Sequence, residues 1–134
     1  MARIKLTPIE PLELEFQDGT IKKALFNNEA YILYEEEFGE MSNLLTGEVE
    51  RDPYGALSKI LYCGLKVIDP QITLEEALQI MYMGGTELAI QVGESLINNF
   101  NLKTNEASKK KFLSFLRANL TKEQIQMLKS RNLI

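Results

Sequence analysis

The chain has 134 residues, of which 45% are hydrophobic and 25% are charged, and its net charge is −4. This length suits one domain with its own core, and the composition excludes collagen-like, coiled-coil and disordered classes. There is no histidine and only one cysteine, Cys63, so these residues hold no histidine-dependent triad, no His-containing metal site and no intrachain disulfide. No apolar run approaches the roughly 18 residues of a membrane helix, and no signal core is present, so we expect a cytoplasmic protein without a membrane partner.

The first predicted element is an antiparallel β-hairpin over about residues 12–26. Leu12, Leu14 and Phe16 alternate with glutamates, and this period of two is typical of a half-buried strand. Asp18-Gly19 follows, which is a strong hairpin signal because glycine accepts a positive φ. The returning strand alternates less regularly, so its register stays open.

Two helices are predicted next. Asn27-Asn28 can cap a helix over 29–38, and Gly39 is a natural stop. Pro53 suits the first position of a helix over 54–68, which carries a wide apolar stripe.

Two further helices complete a helical body over about residues 28–100. Thr73 and Glu76 form a capping box that starts a helix ending near residue 83. Gly84-Gly85 is expected to break the chain there, and a second helix is predicted over 86–100.

The last part of the chain differs in charge. Residues 1–100 carry a net −10 and residues 101–134 carry +6. Helices are predicted over 106–118 and about 121–130, within a basic C-terminal segment 106–134. The predicted fold is therefore α+β and mostly α, a single domain in which an N-terminal antiparallel hairpin precedes a bundle of about five helices.

No group of residues indicates catalysis, a metal or a cofactor. Three adjacent glutamates, 35 to 37, diverge around a helix and are best interpreted as a solvated face. Ser108-x-x-Lys111 lacks the companion motifs of serine–lysine enzymes. Cys63 lies on an apolar helix side, where a cysteine is usually a small core residue. We therefore expect a protein that is not an enzyme.

Aromatic, thioether and lysine side chains are the candidate partner-binding residues. Tyrosine and methionine offer adaptable surface for a helical client, although the same side chains also fit a helix core. The lysine run offers charge-guided association between copies. The candidates are Tyr54, Tyr62, Met81, Tyr82, Met83, Lys109, Lys110 and Lys111.

An alternative is a small adaptor or regulator that binds a protein or nucleic acid through the basic segment. Phe112 and Phe115 interleave with the lysines there, but at core spacing. The acidic body would also repel phosphates, so nucleic acid is the less favoured partner.

Several segments together resemble a known family, the tail assembly chaperones of long-tailed phages and prophages of Gram-positive bacteria. The resemblance covers roughly residues 12–83. It rests on LEFQDGT from Leu14 to Thr20, FNN from Phe26 to Asn28, YEEEFG from Tyr34 to Gly39, ALSKILYCGL from Ala56 to Leu65, and DPQITLEE from Asp69 to Glu76.

This resemblance implies a non-enzymatic role in virion morphogenesis. Members of the family bind the long tape measure protein, keep it soluble before the tail tube forms around it, and are absent from the mature tail. The implied partners are the tape measure protein and also the tail tube protein. We further expect a homo-oligomer, because a two-stranded ribbon is marginal alone and must pack on helices or pair with a neighbour.

Overall fold

A computed structural model describes residues 2–6, 8–41, 51–100 and 114. Within this part of the chain, two strands form an antiparallel hairpin and three helices follow it. The elements are β1 (Leu12–Glu15), β2 (Ile21–Ala24), α1 (Asn28–Phe38), α2 (Pro53–Ile68) and α3 (Leu74–Asn99).

The hairpin forms as predicted and turns at Asp18-Gly19. Gly19 has φ 89°, and the turn is closed by a 2.8 Å hydrogen bond from the Phe16 amide to the Thr20 carbonyl. The Asp18 carboxylate also accepts from the Thr20 amide at 2.9 Å. Leu12 pairs with Ala24 and Leu14 with Lys22, which settles the register that the irregular second strand left open.

The helix starts are set by short polar side chains. Asn27 accepts from the Ala30 amide at 3.1 Å at the start of α1, and Asp52 accepts from the Gly55 amide at 3.0 Å just before Pro53. Thr73 accepts from the Glu76 amide at 3.2 Å at the start of α3, which is the first half of the predicted capping box. The Glu76 carboxylate accepts from the Thr73 hydroxyl, also at 3.2 Å.

Helix α2 lies at the centre of the core and contacts β2, α1 and α3. The hairpin reaches it closely at Gly64, whose carbonyl accepts from the Leu25 amide at 2.9 Å. A Cβ at Gly64 would lie 2.7 Å from the Phe26 ring, so only glycine permits this approach. The Phe26 ring in turn meets Phe100 edge to face, with centroids 6.5 Å apart, and this contact joins the hairpin to the end of α3.

The predicted bundle of about five helices is wrong, because the described residues contain three. The segments 73–83 and 86–100 are one element, α3, with a kink. Only Gly85 leaves the helical region, with φ 61° and ψ −149°, and helix resumes directly after it. The helices predicted over 106–118 and 121–130 lie outside the described residues.

Candidate functional site

An open cleft of about 610 Å³ separates β1 from the middle of α3. We call it the β1–α3 cleft. The backbones of β1 and α3 are not in close contact, and β1 makes its close backbone contacts with β2. The apolar side chains that line it are Leu12, Leu14, Phe16, Ile80, Met83 and Leu88.

Two sequence periods bring these side chains together. The alternation along β1 turns Leu12 and Leu14 half inward while the glutamates between them stay exposed. On α3, Ile80 and Gly84 are four residues apart on one face of the helix, and Leu88, beyond the kink, packs back against Gly84. Ile80 and Leu88 are buried and form the floor of the cleft.

Gly84 leaves room on the helical side of the cleft. A Cβ at this position would overlap the Leu88 side chain, so glycine lets Leu88 pack back over the helix. Met83, one residue earlier, is 67% exposed and stands beside the opening. The kink at Gly85 follows immediately, so both glycines shape this wall.

The rim of the cleft is acidic. Glu13 and Glu15 on β1 and Glu87 on α3 line it, and none of the lining residues in the described part of the chain is basic. Glu13 lies 3.8 Å from the Nζ of Lys23 across the hairpin, but both side chains are at least half exposed, so this pair is weak. An occupant with an apolar stripe and basic flanks therefore fits the cleft.

Of the predicted partner-binding residues that the structure describes, only Met83 lines the cleft. Tyr54, Tyr62 and Met81 are buried, and Tyr82 is half-buried with its ring stacked on that of Tyr54 at a centroid distance of 5.2 Å. The stacked rings of Tyr54 and Tyr82 join α2 to α3. Lys109, Lys110 and Lys111 lie outside the described residues.

A second polar cluster surrounds Tyr62 at the boundary of α1 and α2. Lys66 donates to the Tyr62 hydroxyl at 3.0 Å, and that hydroxyl donates to Glu37 at 3.3 Å. The hydrogen bond with Tyr62 is the main reason that the pKa of Lys66 is raised. These contacts tie the two helices together on the surface.

Cys63 is fully buried beside this cluster. Burial, with a smaller contribution from the Glu37 carboxylate, raises the pKa of its thiol to about 12. The thiol is therefore protonated at neutral pH and is a poor nucleophile.

The β1 side of the cleft was not identified as a site from the sequence. The predicted hairpin did indicate it, because a ribbon of two strands leaves one edge of each strand unpaired. In the residues described, no three His, Cys, Asp or Glu side chains come together as metal ligands. The helices of this same part of the chain include none that is both long and apolar enough to span a bilayer.

The chain was also compared with known proteins. No protein-family model matches it, and no curated protein or solved structure is detectably similar.

Proposed function

We propose that this chain is a non-enzymatic phage tail assembly chaperone that holds helical segments of the tape measure protein in the β1–α3 cleft. The single observation that carries the proposal is the form of this cleft: open, apolar at its floor and acidic at its rim. The resemblance of residues 12–83 to tail assembly chaperones supplies the biological context.

The shape of the cleft favours a segment of a protein over a small molecule. Small-molecule sites enclose most of their ligand, whereas this cleft is open along a helix and a strand. An amphipathic helix can place two or three apolar side chains between Leu14 and Leu88 and leave its polar face in water. Basic residues flanking its apolar stripe would meet Glu15 and Glu87.

A shallow cleft also suits a chaperone that must release its client. Many weak contacts along a long client are displaced one at a time, and together they hold it firmly. Reversible, multivalent binding of this kind would let the tail tube protein replace the chaperone as the tube grows.

The test is co-expression of this chain with the tape measure protein from the same genome, followed by fractionation and pull-down. We expect the tape measure protein to be soluble only when the chain is present. The gene for this chain should lie between a tail tube gene and an unusually long tape measure gene. Equal solubility without this chain would contradict the proposal.

A matched pair of variants tests the cleft itself. Met83→Lys places a charge beside the cleft opening, while Ile32→Lys makes the same change at a 46% exposed position on α1. We expect Met83→Lys to release most of the tape measure protein into the pellet and Ile32→Lys to retain it. If the two variants behave alike, the client binds elsewhere on the molecule.

A further inference from the structure

Within the residues that the structure describes, strand β1 has an open edge. The described sheet has two strands, so β1 is paired on one side only. The Phe16 amide bonds to the Thr20 carbonyl, which makes Phe16, Leu14 and Leu12 the residues bonded to β2. In an antiparallel ladder, the amides and carbonyls of the alternate residues, Glu13 and Glu15, therefore point away from β2.

The N-terminal arm, residues 2–6, has the character of a strand without a partner. Ile4 is 80% exposed and Leu6 is 88% exposed, the two most exposed large apolar side chains in the described residues. Arg3 and Lys5 alternate with them, so one face of an extended arm would be apolar and the other basic. This pattern matches a third strand on a sheet with one apolar face.

The arm and the open edge are complementary residue by residue. With Ile4 opposite Leu14 in an antiparallel register, Lys5 lies opposite Glu13 and Arg3 opposite Glu15. The same register places Leu6 opposite Leu12. Opposite charges and apolar pairs directly across two strands both stabilise a sheet.

The arm is poorly suited to pair with β1 of its own chain. Pro8 and Pro11 lie between them, and each fixes its own φ near −65° and favours an extended backbone in the residue before it. In the structure the arm does not pair with β1 of its own chain, since the described sheet consists of β1 and β2. The exposure of Ile4 and Leu6 agrees with an arm that extends away from its own hairpin.

We propose that the arm of one copy adds as a third antiparallel strand to the open edge of β1 in a second copy. Main-chain hydrogen bonds to Glu13 and Glu15 hold it, and the alternating side chains set its register. Ile4 and Leu6 of the incoming arm continue the apolar face of Leu12 and Leu14, so the wall of the β1–α3 cleft becomes wider. The arm contact uses the strand that also lines the cleft, but it is argued without any property of the proposed client.

The first test exchanges the charges. The arm variant carries Arg3→Glu and Lys5→Glu, and the edge variant carries Glu13→Lys and Glu15→Lys. We expect sedimentation to show that each variant alone associates roughly tenfold or more weakly than the unmodified chain, because like charges now face each other. An equimolar mixture of the two variants should recover association, since each arm then meets an edge of opposite charge.

The control for the edge variant is Glu36→Lys with Glu40→Lys, which makes the same change in net charge beyond the hairpin. It should associate as the unmodified chain does. The proposal is overturned if the unmodified chain remains monomeric at high micromolar concentration, if either charge variant associates normally, or if the mixture does not recover. Circular dichroism and a thermal melt show whether each variant is folded.

The second test reads the register by cross-linking. Ile4 and Leu14 would form a non-hydrogen-bonded pair with Cα atoms about 4.5 Å apart, within disulfide range. A chain with Ile4→Cys mixed with a differently tagged chain with Leu14→Cys should form a mixed disulfide, whereas Ile4→Cys with Ile32→Cys should not. The native Cys63 is buried and does not compete.

A chain carrying both Ile4→Cys and Leu14→Cys completes the test. Disulfides that join separate chains support the proposal. A disulfide formed within one chain at high dilution would overturn it, because the arm would then pair with its own hairpin.

Discussion

Cys63 shows how burial alters the acid–base behaviour of a single residue. Cys63 lies on the buried side of α2, and burial raises the pKa of its thiol to about 12. In the unfolded chain the thiol loses its proton near its ordinary pKa of about 8.5. Between these pH values the native state binds more protons than the unfolded state, so the free energy of unfolding falls as the pH rises.

We predict that this residue makes the protein less stable in alkali. The loss should approach, at most, about 1.4 kcal/mol for each pH unit above the ordinary thiol pKa. Urea denaturation at pH 8, 9 and 10 measures it, with Cys63→Ala as the control that cancels the contributions of tyrosines and lysines. Parallel pH profiles for the two proteins would contradict the prediction.

Single residues also show the limit of predicting partner-binding positions from sequence. Tyr54, Tyr62 and Met81 were candidates because tyrosine and methionine are common in binding surfaces, yet all three are buried. Helical spacing indicates that residues share a face but not whether another helix covers that face. Met83 is exposed because it follows the buried Met81 and the half-buried Tyr82 and lies towards the hairpin.

At the scale of elements, the kink in α3 is the feature with the clearest local cause. Gly85 has φ 61° and ψ −149°, a region that residues with a Cβ rarely adopt. Gly84, the residue before Gly85, keeps helical geometry. In the turn before it, the Tyr82 ring stacks on Tyr54 of α2. Gly85 therefore interrupts the helix where a break was predicted, and helical geometry resumes directly after it.

We predict that Gly85→Ala lowers the free energy of unfolding by about 1–3 kcal/mol, because alanine is strained in this conformation. Chemical denaturation measures the effect. Gln91→Ala, at an exposed position of the same helix, should change stability by less than about 0.5 kcal/mol. Equal effects of the two substitutions would show that the kink does not depend on glycine.

The hairpin and the kinked helix show why elements differ in how well they can be predicted. Asp18-Gly19 between two short strands strongly favours a tight hairpin turn, so the turn was predicted correctly. Gly84-Gly85 is compatible with a break between two helices or with a bend within one. The outcome depends on tertiary packing, here of Leu88 over Gly84, which local sequence does not contain.

At the scale of the whole molecule, charge is divided along the chain. Residues 1–100 carry −10 and residues 101–134 carry +6, and the described cleft lies in the acidic part. Attraction between the two parts of neighbouring copies would add to the contact of arm and edge. It would weaken with salt, over a Debye length of about 8 Å at physiological ionic strength.

We predict that reversing Lys109, Lys110 and Lys111 to glutamate loosens association between copies more than it lowers the melting temperature. Sedimentation at two salt concentrations and a thermal melt provide the two measurements. A variant with glutamine at the same three positions shows how much of the effect comes from losing the positive charge rather than from reversing it. A triple glutamate variant that melts far lower but assembles normally would assign the lysines to the fold.

The open edge of β1 also determines which partners it rejects. Two such edges brought together antiparallel, with Leu14 opposite Leu14, would place Glu13 directly opposite Glu15 on both sides. Like charges across a sheet repel, so identical hairpins are discouraged from fusing into the continuous sheets that lead to aggregation. The glutamates thus protect an exposed strand from its own copies and leave it open to a basic one.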